Sequence, residues 1–163
     1  MKITRKGQVI DVPGNQPGEG EVAPDFALQD LQDATISLAS LKGQPTIISI
    51  IPDIDTRVCA IQTKRFNQEA SQLAGIHFVT ISNNTKEEQA NWCGQEGVDM
   101  TMVHDPENVF GEAYSIYMPE LGRYARSIFV LDQDSVIRYR EIVLEMSHEP
   151  DYTQAIEAAK RLV

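Results

Sequence analysis

The stretch that most constrains this chain is Ile47 to Phe66, IISIIPDIDTRVCAIQTKRF. Ile47, Ile48, Ile50 and Ile51 form a short run of β-branched residues, the pattern of a strand buried on both faces. Pro52 must end it, because proline cannot donate to a central ladder. Asp53 to Thr56 are loop and N-cap types, so a helix should begin near Arg57. That places Cys59 in the first turn of the helix, where unpaired N–H groups and the macrodipole favour an anion and therefore a thiolate. Arg57 adds a positive neighbour, and the Thr56 hydroxyl is placed to bond the thiolate or a substrate oxygen. Free cysteines are also commonly small buried hydrophobes. These features alone leave both readings of Cys59 open.

The rest of the chain reads as strands and helices in alternation. Residues 2–12 suggest a β-hairpin turning at Lys6–Gly7, with Ile3, Val9 and Ile10 as its apolar contributors. The glycines and prolines of 14–20 make a loop. Phe26 with Leu28, and Ile36 with Leu38, mark two short strands, and SLASLKG a single helical turn stopped by Gly43. On the helix after Thr56, Cys59, Thr63, Phe66, Ala70 and Leu73 share one face, and Gly75 should end it. Ile76 to Ser82 is a strand. Thr85 and Glu88 form a capping box for another helix, with Cys93 near its end.

Met100 to Val103 is a short strand, Asn108 to Tyr114 is helical, and Tyr117 to Tyr124 reads as irregular. Ala125 to Leu131 and Val136 to Ile142 make an antiparallel hairpin around 132–135. Glu149 to Leu162 closes the chain as a helix with Tyr152, Ile156, Ala159 and Leu162 inward. A βαβα half followed by a ββα half is the order of an α/β thioredoxin-like fold, a central mixed sheet flanked by helices. The 163 residues are read as one domain, 1–163, with 1–20 as an N-terminal hairpin and loop.

A net charge of −10 argues against nucleic-acid and anionic-membrane partners. The opening MKITRKGQVIDVPG lacks the apolar core of a signal peptide, and no run approaches the ~18 apolar residues of a membrane span. The expectation is a cytoplasmic protein. Two cysteines in a reducing compartment point to redox work or free thiols rather than a permanent disulfide. No pairing among Cys59, Cys93, His77, His104 and His148 has zinc-finger spacing, so no metal site is expected. The three histidines read as strand-end or surface residues.

Pro52-x-x-x-Thr56-x-x-Cys59 resembles the active-site signature of the peroxiredoxins. PDIDTRVC…RFN, with CGQEG downstream, is similar to the thiol peroxidase subgroup, the atypical two-cysteine peroxiredoxins, and the similarity runs along nearly the whole chain. It implies the thioredoxin-like fold with the N-terminal hairpin as the subgroup's addition, and a peroxidase without metal, haem or flavin. It further implies that Pro52 shapes the pocket, Thr56 bonds the peroxide and Cys59 is the peroxidatic thiolate. Cys93, before Gly94-Gln95-Glu96-Gly97, is the implied resolving cysteine. The pair would form a Cys59–Cys93 intrachain disulfide, reduced by thioredoxin or a similar dithiol. Substrates would be hydrogen peroxide and organic hydroperoxides, and the assembly a homodimer.

The resemblance selects Arg126 as the catalytic arginine, although the residues themselves do not separate it from Arg123. Arg57 departs from the subgroup, which commonly has glycine there. The helix that carries Cys93 offers few apolar contacts, chiefly Ala90, Trp92 and Cys93, so 85–97 is expected to rearrange on oxidation. A Cys-x-x-Cys oxidoreductase is disfavoured, since Ala60, Ile61 and Gln62 follow Cys59. A thiol-based peroxide sensor using the same disulfide is the alternative from another class.

Overall fold

The structure is a computed structural model that describes every residue except Ser71 and Asp99, and of Ala70 only the backbone. Its centre is β5 (Thr46–Ile50), five residues that are all buried. Ile48 and Ile50 pack on one face of the sheet, and Ile47 packs on the other. This is why the run is apolar without alternation. The Ile51 N–H still reaches the Ile81 carbonyl at 3.1 Å, and pairing stops at Pro52, which has no N–H to offer.

Around β5 lie β6 (His77–Ser82) and β7 (Thr101–His104), both parallel to it, and on its other side β10 (Ser127–Leu131), antiparallel to β5, followed by β11 (Ile137–Ile142), antiparallel to β10. With β3 (Ala27–Asp30) and β4 (Thr35–Ser37) they form a seven-stranded mixed sheet in the order β11-β10-β5-β6-β7-β3-β4. Strands β1 (Lys2–Arg5) and β2 (Gln8–Asp11) form the expected separate hairpin, in the register Ile3↔Ile10.

One face of the sheet is covered by α2 (Arg57–Ala70) and α5 (Tyr152–Lys160), where Phe66 meets Tyr152 edge-on at 5.2 Å. The other face is covered by the hairpin, α1 (Leu38–Leu41) and α4 (Val109–Ala113), through Ile3, Ile10, Leu41 and Phe110. Helix α3 (Lys86–Glu96) starts at the expected Thr85–Glu88 capping box and ends on Gly97 in the left-handed conformation. It buries only Gln89 and Trp92.

Several boundaries differ from the sequence reading. Val9 pairs across from Thr4 on the outer face of its hairpin and is 59 % exposed, because alternation cannot bury Val9 and Ile10 together. Leu38 opens α1 rather than lying in a strand, since the Ser37 hydroxyl takes the Ser40 N–H and caps a helix there. Helix α2 is described to Ala70, short of Gly75, and Leu73 packs from the loop. Ala90 is exposed and contributes no core contact. Residues 117–124 are not wholly irregular: β8 (Tyr117–Met118) pairs with β9 (Arg123–Tyr124). Helix α5 starts at Tyr152, where the Asp151 carboxylate accepts the Gln154 N–H. The histidines fall as expected, at the start of β6, the end of β7 and in an exposed loop.

Candidate active site

Cys59 is fully buried at the third position of α2, whose N-cap is Thr56: the Thr56 carbonyl accepts the Ala60 N–H at 3.0 Å. No acidic residue occupies the first turn, so nothing there offsets the positive end of the helix. The Asp53 N–H points at the sulfur, with N···Sγ 3.5 Å. Pro52 is buried immediately before it. Thr56 is exposed, and its hydroxyl donates to the Asp53 carbonyl at 2.8 Å rather than to the sulfur. Arg57 is exposed at the helix start.

The loop carrying these groups is pinned by a residue the sequence reading passed over. Asn84, fully buried between β6 and α3, accepts the Ile54 N–H at 2.9 Å and donates to the Asp53 carboxylate at 3.1 Å. Asp53 also faces the Arg123 guanidinium at 3.5 Å, and Arg123 donates to Asn83 at 3.0 Å. The charge of Arg123 is therefore taken up by a carboxylate.

Arg126 is held differently. It follows Ala125 just before β10, one position beyond the Ser127↔Ile50 pair, which sets it beside the end of β5. Its Nη1 donates to the Gln62 amide oxygen at 2.9 Å and its Nε to the Met146 carbonyl at 3.1 Å. Gln62 in turn donates to the Ser49 hydroxyl at 2.7 Å. Both acceptors of Arg126 are neutral. Its Nη2 has no acceptor among the described residues. Of the two arginines that sequence could not separate, Arg123 faces a carboxylate, whereas Arg126 has none beside it among the described residues.

Gln62 lies three residues after Cys59 on the same helix, so helical spacing alone could have flagged it. Asn84 carried no such signal.

Cys93 packs, partly buried, against the small apolar cluster of Ile51, Ile54, Cys59, Trp92 and Met102. The two cysteines thus border one cluster from two helices, and no disulfide joins them. Among the described residues, no group of three or more His, Cys, Asp or Glu side chains could hold a metal ion. Concavities lined by His104, Pro106 and Val109, and by Met1, Leu144 and His148, lie elsewhere and bring no thiol to their walls.

A buried helix-start thiol, an unneutralised arginine and a second cysteine beside the first are the parts of a thiol-based redox site. The AhpC/TSA family model matches residues 20–140. The chain belongs to the AhpC/TSA family. It is 44 % identical to the thiol peroxidase of Bacillus subtilis (strain 168), over 99 % of this chain and 98 % of that protein. It is 41 % identical to the thiol peroxidase of Staphylococcus aureus (strain MRSA252), over 99 % of each. The fold is shared with a peroxiredoxin-like protein from Aquifex aeolicus, at TM-score 0.93 and 24 % identity, covering 99 % of this chain and 97 % of that one. It is shared too with the thiol peroxidase from Chromobacterium violaceum, at TM-score 0.87 and 17 % identity, covering 98 % and 96 %. The expectation of a thioredoxin-like peroxiredoxin of the thiol peroxidase group, an enzyme that reduces peroxide with a cysteine thiol, is borne out.

Proposed function

We propose that Cys59 is the peroxidatic cysteine and Cys93 the resolving one, in an enzyme recycled by thioredoxin or a similar dithiol. The Cys59 thiolate attacks the terminal oxygen of a hydroperoxide. The S–O bond forms as the O–O bond breaks, the leaving alkoxide or hydroxide takes a proton, and Cys59 becomes a sulfenic acid. The Cys93 thiol then displaces water from that sulfenic acid, forming the Cys59–Cys93 disulfide. A dithiol reduces it to two thiols and is itself oxidised.

The observation that carries this reading is that Gln62, one turn after Cys59 on α2, holds Arg126 by Nη1 and leaves its Nη2 donors without an acceptor among the described residues, while a backbone N–H is aimed at the Cys59 sulfur. Those donors are suited to the negative charge that develops on the departing oxygen. Thr56 lies one turn before the sulfur, and its hydroxyl can turn from the Asp53 carbonyl to a bound peroxide. Pro52 walls the pocket. Hydrogen peroxide and organic hydroperoxides are the proposed substrates, and the working form is a cytoplasmic homodimer of one-domain chains. No helix among the described residues is long and apolar enough to cross a membrane.

Rearrangement of α3 is part of the cycle, because each cysteine sits on its own helix and a disulfide needs Cα atoms roughly 4.4–6.8 Å apart. Peroxide consumption coupled to thioredoxin tests the reading. Wild type should turn over repeatedly, Cys59→Ser should be inactive, and Cys93→Ser should react once and stop. A single turnover by the wild type with the reductase system present would instead favour a sensor.

A further inference from the structure

We infer that the N-terminal hairpin aims Arg126, with Thr4 and Glu145 acting as positioning residues for the peroxide step through the Met146 carbonyl. The inference rests on the role given to Arg126 above.

The segment after β11 wraps this arginine. The Val143 N–H donates to the Arg126 carbonyl at 2.9 Å, and three residues later the Met146 carbonyl accepts the guanidinium Nε. Fixing Nε fixes the plane of the guanidinium, and with Nη1 on Gln62 the direction of Nη2 follows. Among the described residues the carbonyl of Met146 is thus one of two side-chain anchors of Arg126, and it belongs to a loop.

That loop is held in place by the hairpin. The Thr4 N–H donates to the Leu144 carbonyl at 2.7 Å and the Met146 N–H to the Thr4 carbonyl at 2.8 Å, a parallel bridge on either side of Glu145. The Glu145 carboxylate turns back over the hairpin turn. One oxygen accepts the Thr4 hydroxyl and the Gly7 N–H, each at 2.9 Å. The other accepts the Ser147 N–H at 2.8 Å and its hydroxyl at 2.5 Å. Four donors on one carboxylate lock residues 145–147 to the hairpin turn and so set where the Met146 carbonyl points. A hairpin that only covered the core through Ile3 and Ile10 would not need this clasp.

The test is a double-mutant cycle read on the reaction of reduced Cys59 with hydrogen peroxide, followed by stopped-flow Trp92 fluorescence. Glu145→Ala should slow this step about tenfold, the scale expected when a charged donor is misaimed. Reduction of the disulfide by a dithiol should change by less than about twofold, since it does not use Arg126. Glu145→Gln, which keeps one acceptor oxygen, should fall between wild type and Glu145→Ala.

In an Arg126→Met background the Glu145→Ala effect should vanish, and Arg126→Lys, which lacks Nε, serves as a second background if Arg126→Met folds poorly. An undiminished Glu145→Ala effect in those backgrounds, or no effect in the wild-type background, overturns the inference and leaves the role of Arg126 intact. An Arg126→Met enzyme as fast as wild type overturns both.

Discussion

Arg126 and Gln62 meet at the junction of sheet and helix, with Nη1 donating to the amide oxygen at 2.9 Å and both side chains almost wholly buried. The pair ties the guanidinium to the helix that carries Cys59, one turn below the sulfur. The nucleophile and the charge proposed to assist it thus keep a fixed relation even if the loop before the helix moves.

Gln62→Met removes the Arg126 acceptor and the donor to Ser49 without much change in volume. A buried charged donor is left short of one partner, which costs about 1.5–3 kcal/mol. Urea denaturation should show a loss of that size. The peroxide step should slow by about tenfold, while Gln62→Glu, which neutralises Arg126, should fold better than Gln62→Met but remain slow.

Asn84 acts from the other side, on the loop rather than the arginine. Asn84→Ala leaves the Ile54 N–H buried without its acceptor and frees the Asp53 carboxylate from one donor. The expected cost is about 1–3 kcal/mol. In a Cys93→Ser background, where only the first step occurs, the Cys59 peroxide reaction should be slower than in the parent. An unchanged rate would show that the loop geometry does not govern the sulfur.

Helix α3 should be the first to open. It buries Gln89 and Trp92, and the Gln89 amide oxygen has no hydrogen-bond partner among the described residues. Its link to α2, Lys64–Glu96 at 2.8 Å, is an exposed ion pair worth roughly 0.2–1 kcal/mol. Helix α2 buries Cys59, Gln62, Thr63 and Phe66. Hydrogen exchange should be faster in 86–96 than in 57–70, and oxidation should strip protection from 86–96. Equal protection of 86–96 in both redox states would contradict an α3 rearrangement.

The clasp at Glu145 has a pH signature. The Ser147 hydroxyl, then the Ser147 and Gly7 N–H groups and the Thr4 hydroxyl, hold its carboxyl well below its ordinary value of 4.5. A carboxyl depressed in the folded state binds fewer protons there than in the unfolded chain. Its stabilisation is therefore complete above the ordinary value and is lost as the pH falls towards the folded one. Thermal melts between about pH 3 and 6 should show a shallower acid loss for Glu145→Gln than for wild type. Parallel curves would mean that the clasp is not formed in solution.

The sequence made the β5–Pro52–α2 unit legible because each device in it is local: a β-branched run, a residue without an N–H, and capping residues before an amphipathic helix. The capping box at Thr85 was legible for the same reason. What escaped were contacts between distant segments. Asn84 and Ile54 are thirty residues apart, and Glu145 meets the Gly7 N–H across the whole domain, so no periodicity joins them. The choice between Arg123 and Arg126 was of this kind too, since it turns on Asp53 lying beside one and Gln62 beside the other. Val9 was misplaced because a four-residue strand gives too little alternation to show which face is inward.

The central claim is that one sulfur meets the peroxide and the other relieves it. Reduced protein treated with one equivalent of hydrogen peroxide, with dimedone present, and analysed by peptide mass spectrometry tests this most directly. Wild type should yield a Cys59–Cys93 disulfide, Cys93→Ser a dimedone adduct on Cys59, and Cys59→Ser neither product with its peroxide unspent. A Cys59→Ser protein that still consumes peroxide at the wild-type rate, or a Cys59→Ser protein with dimedone on Cys93, would contradict the account.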